Sequence, residues 1–197
     1  MKSRGIAQPG VVRGGGQIVS NSRLGMMLFV ASEVMLFGGL MAGFLVLRFG
    51  SGNFSGMQRL PIGVAGINTV IILASSLMLI VATRSLKRGN VNLFRIGSVA
   101  TFALGMLFLA IQCYEWNLLM HGGMLPSSSI YGGIFYLLTW AHGLHVLGGV
   151  VILAVLAIKA WRQAITLNSR NFVAVASIYW HFVSLVWVGL FLFLFVF

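Results

Sequence analysis

Five long stretches of mostly apolar residues, separated by short polar segments, dominate the chain. About 20 such residues suffice for a helix to cross the hydrocarbon core of a bilayer. In lipid, a lone segment can satisfy its backbone polar groups only as a helix. The pattern therefore predicts an all-α, polytopic membrane protein. We place its five transmembrane helices at Leu24–Leu47, Ile62–Thr83, Leu93–Leu119, Ile130–Ile158 and Phe172–Phe197.

The remaining segments are short and contain turn-forming and basic residues. They cover 48–61, 84–90, 121–129 and 159–171, and no internal repeat is evident. Residues 1–23 carry glycine and arginine without an apolar run, which indicates a cytoplasmic N-terminal tail. Residues 24–197 are predicted to form one membrane domain.

Composition supports the membrane assignment. The chain is 59% hydrophobic and 8% charged, too apolar for a soluble domain of 197 residues. A net charge of +11 would suggest nucleic-acid binding in a soluble protein. Here basic loops facing an anionic membrane leaflet explain the charge, so we expect no nucleic-acid partner. The single cysteine, Cys113, excludes an internal disulfide framework.

Lysine and arginine are distributed unequally between the two sides of the predicted topology. The tail, the 84–95 region and the 159–170 region together carry eleven, whereas the opposite side carries only Arg48 and Arg59. Cytoplasmic loops are enriched in these residues. The count places the N-terminus in the cytoplasm and the C-terminus outside.

Glu33 is one of only two acidic residues, and it lies near the middle of the first predicted helix. A carboxyl at that depth should be neutral, or paired with a cation inside the bundle. We see no basic partner for it at the same depth. Two interpretations stay open: a proton-handling or lipid-contacting group, and a protonated carboxyl that hydrogen-bonds within the bundle.

Glu115, the other acid, belongs to a stripe at helical spacing in the third helix. We expect this stripe to face other helices, which favours a structural role for Glu115. Its members are Thr101, Gly105, Phe108, Gln112 and Glu115.

The fifth helix carries a polar stripe formed by Ser177, His181 and Ser184. Trp180 and Trp187 lie seven residues apart on an adjoining face.

Glycine pairs in two helices predict close helix approach. They are Gly39 with Gly43 in the first helix and Gly148 with Gly149 in the fourth.

His142 and His145 are three residues apart in the fourth helix, so their rings project from the same side. One helix face cannot supply both axial ligands of a single haem. A metal site with His181 is conceivable, but no acidic second shell is evident. We therefore expect no metal in this chain and interhelical hydrogen bonds for these histidines.

Four segments resemble subunit III of the haem–copper terminal oxidases. They are "ASEVMLFGG" (31–39), "GMLFLAIQCYEW" (105–116), "YLLTWAHGLHVLGGVVIL" (136–153) and "YWHFVSLVW" (179–187). Their order and the five helices are similar to the shorter bacterial form of that family.

The resemblance implies a non-redox subunit of a respiratory oxidase in the bacterial inner membrane. Such a subunit lies against subunit I, in a complex with subunit II, while haem and copper belong to those partner subunits. The resemblance further implies a V-shaped bundle, with helices one and two leaning away from three to five. A cleft between the arms holds phospholipid, and the subunit supports proton uptake.

Six residues correspond to motif positions of the family and are the candidate lipid- or proton-linked residues: Glu33, Glu115, His142, His145, Trp180 and His181. One position departs from the pattern, since Ser184 stands where the family usually has an acid. Two other classes stay open. They are a subunit III-like protein associated with nitric oxide reductase and an independent transporter, although no inverted repeat supports the latter.

Overall fold

The computed structural model describes residues 21–50, 61–162 and 167–196. Within these ranges the chain is helical and has no strand, and five helices are long and apolar enough to cross a membrane. The predicted all-α, five-span fold is confirmed. The helices are α1 (Asn21–Gly50), α2 (Ile62–Lys87), α3 (Val91–His121), α4 (Ile130–Trp161) and α5 (Leu167–Phe191), and a π-helical turn follows at Leu192–Val196.

The helices extend beyond most of the predicted bounds. α1 has 30 residues, which corresponds to roughly 45 Å, whereas the hydrocarbon core is about 30 Å thick. α5 begins at Leu167, five residues before the predicted Phe172. Hydropathy marks only the part of a helix that can lie in hydrocarbon, and the additional residues are enough for the helix ends to reach the interfacial layers.

Local capping fixes the turns between helices. The Asn90 side chain accepts a hydrogen bond from the Leu93 amide at the start of α3. Ser129 does the same for Gly132 at the start of α4. Gly89 and Gly123 adopt φ of 80° and 86° in the turns after α2 and α3, a conformation that favours glycine.

α2 and α3 form an antiparallel hairpin that is closely packed along its length. A Cβ added at Gly97 would lie 2.7 Å from the Ala82 Cβ, so the helices approach closely near the turn. Further along, Ser75 Oγ donates to the Thr101 carbonyl oxygen at 3.1 Å. This hairpin also packs against α4 and α5.

The packing of α1 and α2 corrects the expected helix grouping. α1 packs against α5 and more lightly against α4, and it hardly meets α2. The predicted separation of helices one and two from helices three to five is therefore not found, because α1 packs against α5 and α2 packs against both α3 and α5. α2 packs along α3 because polar and small residues on both helices match in register.

Basic side chains collect at one end of the bundle, which we call the basic end. Arg23 at the start of α1 and Lys87 at the end of α2 line the same groove. Arg95 Nε donates to the Ala160 carbonyl oxygen at 3.0 Å, which joins the start of α3 to the end of α4. The tail 1–20 and Arg59 lie outside the described residues, and the compartment that the basic end faces stays a prediction.

Candidate functional site

Glu33 and His145 form a close pair between α1 and α4. Glu33 Oε2 lies 2.9 Å from His145 Nε2, and the two side chains are 13% and 21% exposed. Apart from this contact, Oε2 has no hydrogen-bond partner among the described residues. Both residues lie near the middle of their helices, so the pair is at membrane depth.

The other ring nitrogen of His145 determines where the protons lie. Nδ1 is 2.7 Å from the Ala141 carbonyl oxygen, which can only accept, so Nδ1 carries a hydrogen. A stable contact between Nε2 and Glu33 then requires one further proton, held by either partner. In both cases the pair has zero net charge, which avoids the cost of an isolated charge in the membrane.

This pair corrects the expectation that Glu33 has no basic partner at its depth. No lysine or arginine of the predicted spans lies at that depth, but the His145 side chain faces Glu33 from another helix. The same contact gives His145 an acidic neighbour, whereas the sequence analysis expected none beside the histidines.

His142 differs from its neighbour, because it makes no hydrogen bond with the described part of the protein. It is buried, and neither ring nitrogen has a partner there. Its ring stacks on Trp187 at 5.3 Å between centroids and meets Phe37 and Phe108 edge-on. The expected interhelical hydrogen bond is therefore not found for His142, whose contacts are aromatic.

His181 and Trp180 connect α5 to neighbouring serines of α2. His181 Nδ1 and Ser76 Oγ are 2.6 Å apart and share a hydrogen bond. Trp180 Nε1 donates to Ser75 Oγ at 3.1 Å. The interhelical role expected for the histidines is thus seen at His145 and His181.

Glycines of two helices make room for the fully buried Trp180 ring. A Cβ at Gly105 of α3 would lie 2.8 Å from Trp180 Cη2, and one at Gly149 of α4 would lie 2.8 Å from Cε3. Gly149 therefore allows close approach as predicted. At Gly39 and Gly43 a Cβ would meet nothing within 4 Å among the described residues, so the close helix approach predicted for that pair is not found within this part of the chain.

Glu115 lies apart from the Glu33 pair, in a buried chain of polar side chains. Gln112 Nε2 donates to Glu115 Oε2 at 3.2 Å, and Asn68 Nδ2 of α2 donates to Gln112 Oε1 at 3.2 Å. All members of the α3 stripe are buried, as the helical spacing predicted. Asn68 was missed by the sequence analysis, although it lies seven residues before Ser75 on one face of α2 and both residues are buried.

A groove of about 510 Å³ opens between α1, α2 and α5 at the basic end. We call it the α1/α2/α5 groove. Arg23 and Lys87 lie at its cationic rim, and the Nε of Arg23 is buried without a hydrogen-bond partner among the described residues. Its walls are largely apolar, with His181 on one side.

The described residues contain no group of three or more histidine, cysteine, aspartate or glutamate side chains placed to hold a metal ion.

At Ser184, the position that departs from the motif pattern, the buried Oγ donates to the Trp180 carbonyl oxygen at 2.8 Å.

Comparison with known proteins places these helices in a family. The family model for cytochrome c oxidase subunit III matches residues 4–197. The chain belongs to the cytochrome c oxidase subunit III family. A Mycobacterium tuberculosis protein named "Probable cytochrome c oxidase subunit 3" is 34% identical over 177 residues, which cover 85% of this chain and 84% of that protein.

Two further relatives support this membership. A Nocardia farcinica protein of the same name is 36% identical over 170 residues, covering 85% of this chain and 84% of the relative. The Bacillus subtilis "Cytochrome c oxidase subunit 3" is 33% identical over 173 residues, which cover 87% of this chain and 84% of the relative. The predicted family and the multi-pass membrane location are confirmed, while the roles assigned to individual site residues stay predictions.

Proposed function

We propose that the chain is a non-redox accessory subunit of a respiratory haem–copper oxidase in the bacterial inner membrane. In this proposal it lies against subunit I, in a complex that also contains subunit II. The subunit III family match over residues 4–197 carries the proposal. The excess of lysine and arginine at the basic end supports a cytoplasmic N-terminus and an external C-terminus.

Haem and copper belong, in this proposal, to the partner subunits. The contacts of His145 and His181 support it, since Nδ1 of each ring is engaged by a protein oxygen and Nε2 of His145 faces Glu33. Purified full-length chain should carry no stoichiometric haem, copper or zinc. One equivalent of metal per chain, lost in His142→Ala or His145→Ala, would overturn this part of the proposal.

The α1/α2/α5 groove is the proposed phospholipid cleft. Apolar walls suit acyl chains, and Arg23 and Lys87 suit a headgroup phosphate. The combined variant Arg23→Gln, Lys87→Gln should lose one retained phospholipid by native mass spectrometry of the complex in mild detergent. Arg88→Gln, at the same end but outside the groove, should retain it. Equal lipid retention in both variants would contradict this site.

The Glu33–His145 pair is the proposed link to proton uptake. The pair contains one proton that can lie on the carboxyl or on the ring, without a change in net charge. In this proposal the pair relays protons during turnover: one proton enters as the shared proton leaves, so that the net charge of the pair is restored. Glu33→Gln keeps the size of the side chain and its hydrogen bonding but removes titration.

The matched control is Glu115→Gln, because Glu115 is the only other acid in the chain. We expect the oxidase with Glu33→Gln to assemble normally yet lose activity faster during sustained turnover. Glu115→Gln should keep the wild-type turnover lifetime. A wild-type lifetime in assembled Glu33→Gln oxidase would refute the proton role, and failure to assemble would show that Glu33 is structural.

Identification of the co-purifying proteins tests the complex itself. Mass spectrometry after purification in mild detergent should find oxidase subunits I and II. Recovery of nitric oxide reductase subunits instead, or of the chain alone, would contradict the proposed complex.

A further inference from the structure

A second groove lies between α3 and α4 at the basic end. We call it the α3/α4 groove, and its volume is about 470 Å³. It shares no lining residue with the α1/α2/α5 groove. Its lining comprises Val99 and Phe102 of α3, Ala154, Ala157, Ile158 and Trp161 of α4, and the following Arg162.

The shape of this groove follows from side-chain size. Ala154 and Ala157 present only methyl groups, so α4 leaves a depression beside the larger Phe102 ring. Ala154 and Arg162 are eight residues apart, which corresponds to roughly 12 Å along α4. The groove therefore runs from the helix end towards the hydrocarbon, in the direction of a lipid acyl chain.

Cationic and aromatic groups lie at the open end. Trp161 is 68% exposed and Arg162 is exposed beside it. Arg95 precedes Val99 by four residues and so lies on the same face of α3. Its Nε bond to the Ala160 carbonyl oxygen holds the guanidinium at the junction of the two helices.

No side-chain carboxylate of this chain is available to these arginines. The sequence contains two acids. Glu33 contacts His145, and Glu115 accepts from Gln112 near the opposite end of α3. The charge at the open end is therefore available to an anion from outside the chain, such as a lipid phosphate.

We propose that the α3/α4 groove binds an anionic phospholipid. One acyl chain lies along Ala154 and Ala157, and the phosphate meets Arg95 and Arg162. Basic pockets between helices on the cytoplasmic side attract anionic headgroups, and interfacial tryptophan lies at headgroup level. Bulk lipid that merely covers an apolar surface would show no such headgroup preference.

Trp161 provides a local reporter for the test. Full-length chain is reconstituted in phosphatidylcholine bilayers with increasing phosphatidylglycerol, and either lipid carries brominated chains that quench tryptophan. Subtraction of the Trp161→Phe signal isolates quenching at the groove. The measured quantity is the preference for phosphatidylglycerol over phosphatidylcholine at Trp161, obtained by comparing the quenching that each brominated lipid causes.

We expect a clear preference for phosphatidylglycerol in the wild type. Arg162→Gln should reduce it about five-fold, as expected for loss of one interfacial basic residue. Ala154→Leu, which fills the groove without changing charge, should reduce it too. Arg88→Gln, an exposed arginine of the same end outside both grooves, should leave it unchanged.

Three results would overturn the proposal. Equal quenching by both lipids in the wild type would mean that only bulk lipid covers the groove. A preference for phosphatidylglycerol in Ala154→Leu equal to that of the wild type would mean that the acyl chain lies elsewhere. Protection of Trp161 from both lipids in the assembled complex would mean that a protein subunit covers this surface.

Discussion

Replacement of a single glycine beside Trp180 tests how tightly the centre of the bundle is packed. In Gly149→Ala, the new Cβ would lie 2.8 Å from Trp180 Cε3 and 2.9 Å from Cζ3. The ring cannot move away freely, because its far edge meets Gly105 and its Nε1 is bonded to Ser75. We therefore expect Gly149→Ala to destabilise the fold.

Gly39→Ala is the matched control, since a Cβ at Gly39 would meet nothing within 4 Å. Alanine is favoured over glycine in a helix by about 1 kcal/mol, and both variants receive this gain. The difference between them isolates overpacking, which typically costs about 1–3 kcal/mol. Gly149→Ala should accordingly unfold roughly 2–12 °C below Gly39→Ala.

Thermal unfolding of the purified full-length protein in mild detergent measures this difference. Trp180→Phe in the Gly149→Ala background should recover part of the loss, because the smaller ring leaves space for the methyl group. Equal unfolding temperatures for Gly149→Ala and Gly39→Ala would refute the tight slot around Trp180.

Three further predictions concern buried polar contacts, each measured by thermal unfolding in mild detergent. Asn68→Ala should cost about 1–3 kcal/mol, because Gln112 Oε1 loses its donor in a buried site; an unchanged midpoint would contradict that contact. Glu115→Gln should stay within about 1 kcal/mol of the wild type, since an amide can still accept from Gln112. A double-mutant cycle of His181→Ala with Ser76→Ala should give a coupling of about 0.6–1.7 kcal/mol, and zero coupling would exclude the bond.

The helices and their buried faces could be predicted from the sequence because both depend on local periodicity. Apolar run length indicates a membrane span regardless of the partner helix. The α3 stripe that contains Gln112 and Glu115 is buried because helical spacing alone places its members on one side. Trp180 and Trp187, which are seven residues or about two helical turns apart, are both fully buried.

Contacts between helices could not be predicted in the same way. Glu33 and His145 are 112 positions apart along the chain, and nothing in the local pattern of either helix indicates the other. The surroundings of Gly39 and Gly149 could not be predicted from the local sequence either. Both are helical glycines, but only Gly149 faces a tryptophan of a neighbouring helix. The packing of α2 against α3 likewise depends on matched side chains in both helices.

Acidic and basic side chains occupy different parts of this protein: the acids lie inside the helices, and most of the basic residues lie at the helix ends and in the loops. Both acids of the sequence lie within predicted spans, where Glu33 contacts the His145 ring and Glu115 accepts a hydrogen bond from the Gln112 amide. No loop contains an acid, so the basic side chains at the ends have no carboxylate of their own loops to pair with. Anions for these side chains come from outside their own loops, from ions in solution, lipid phosphates or other subunits. Substitutions at these arginines and lysines should therefore alter lipid and subunit binding more than they alter the folded bundle, whereas substitutions of the interior polar contacts should do the reverse.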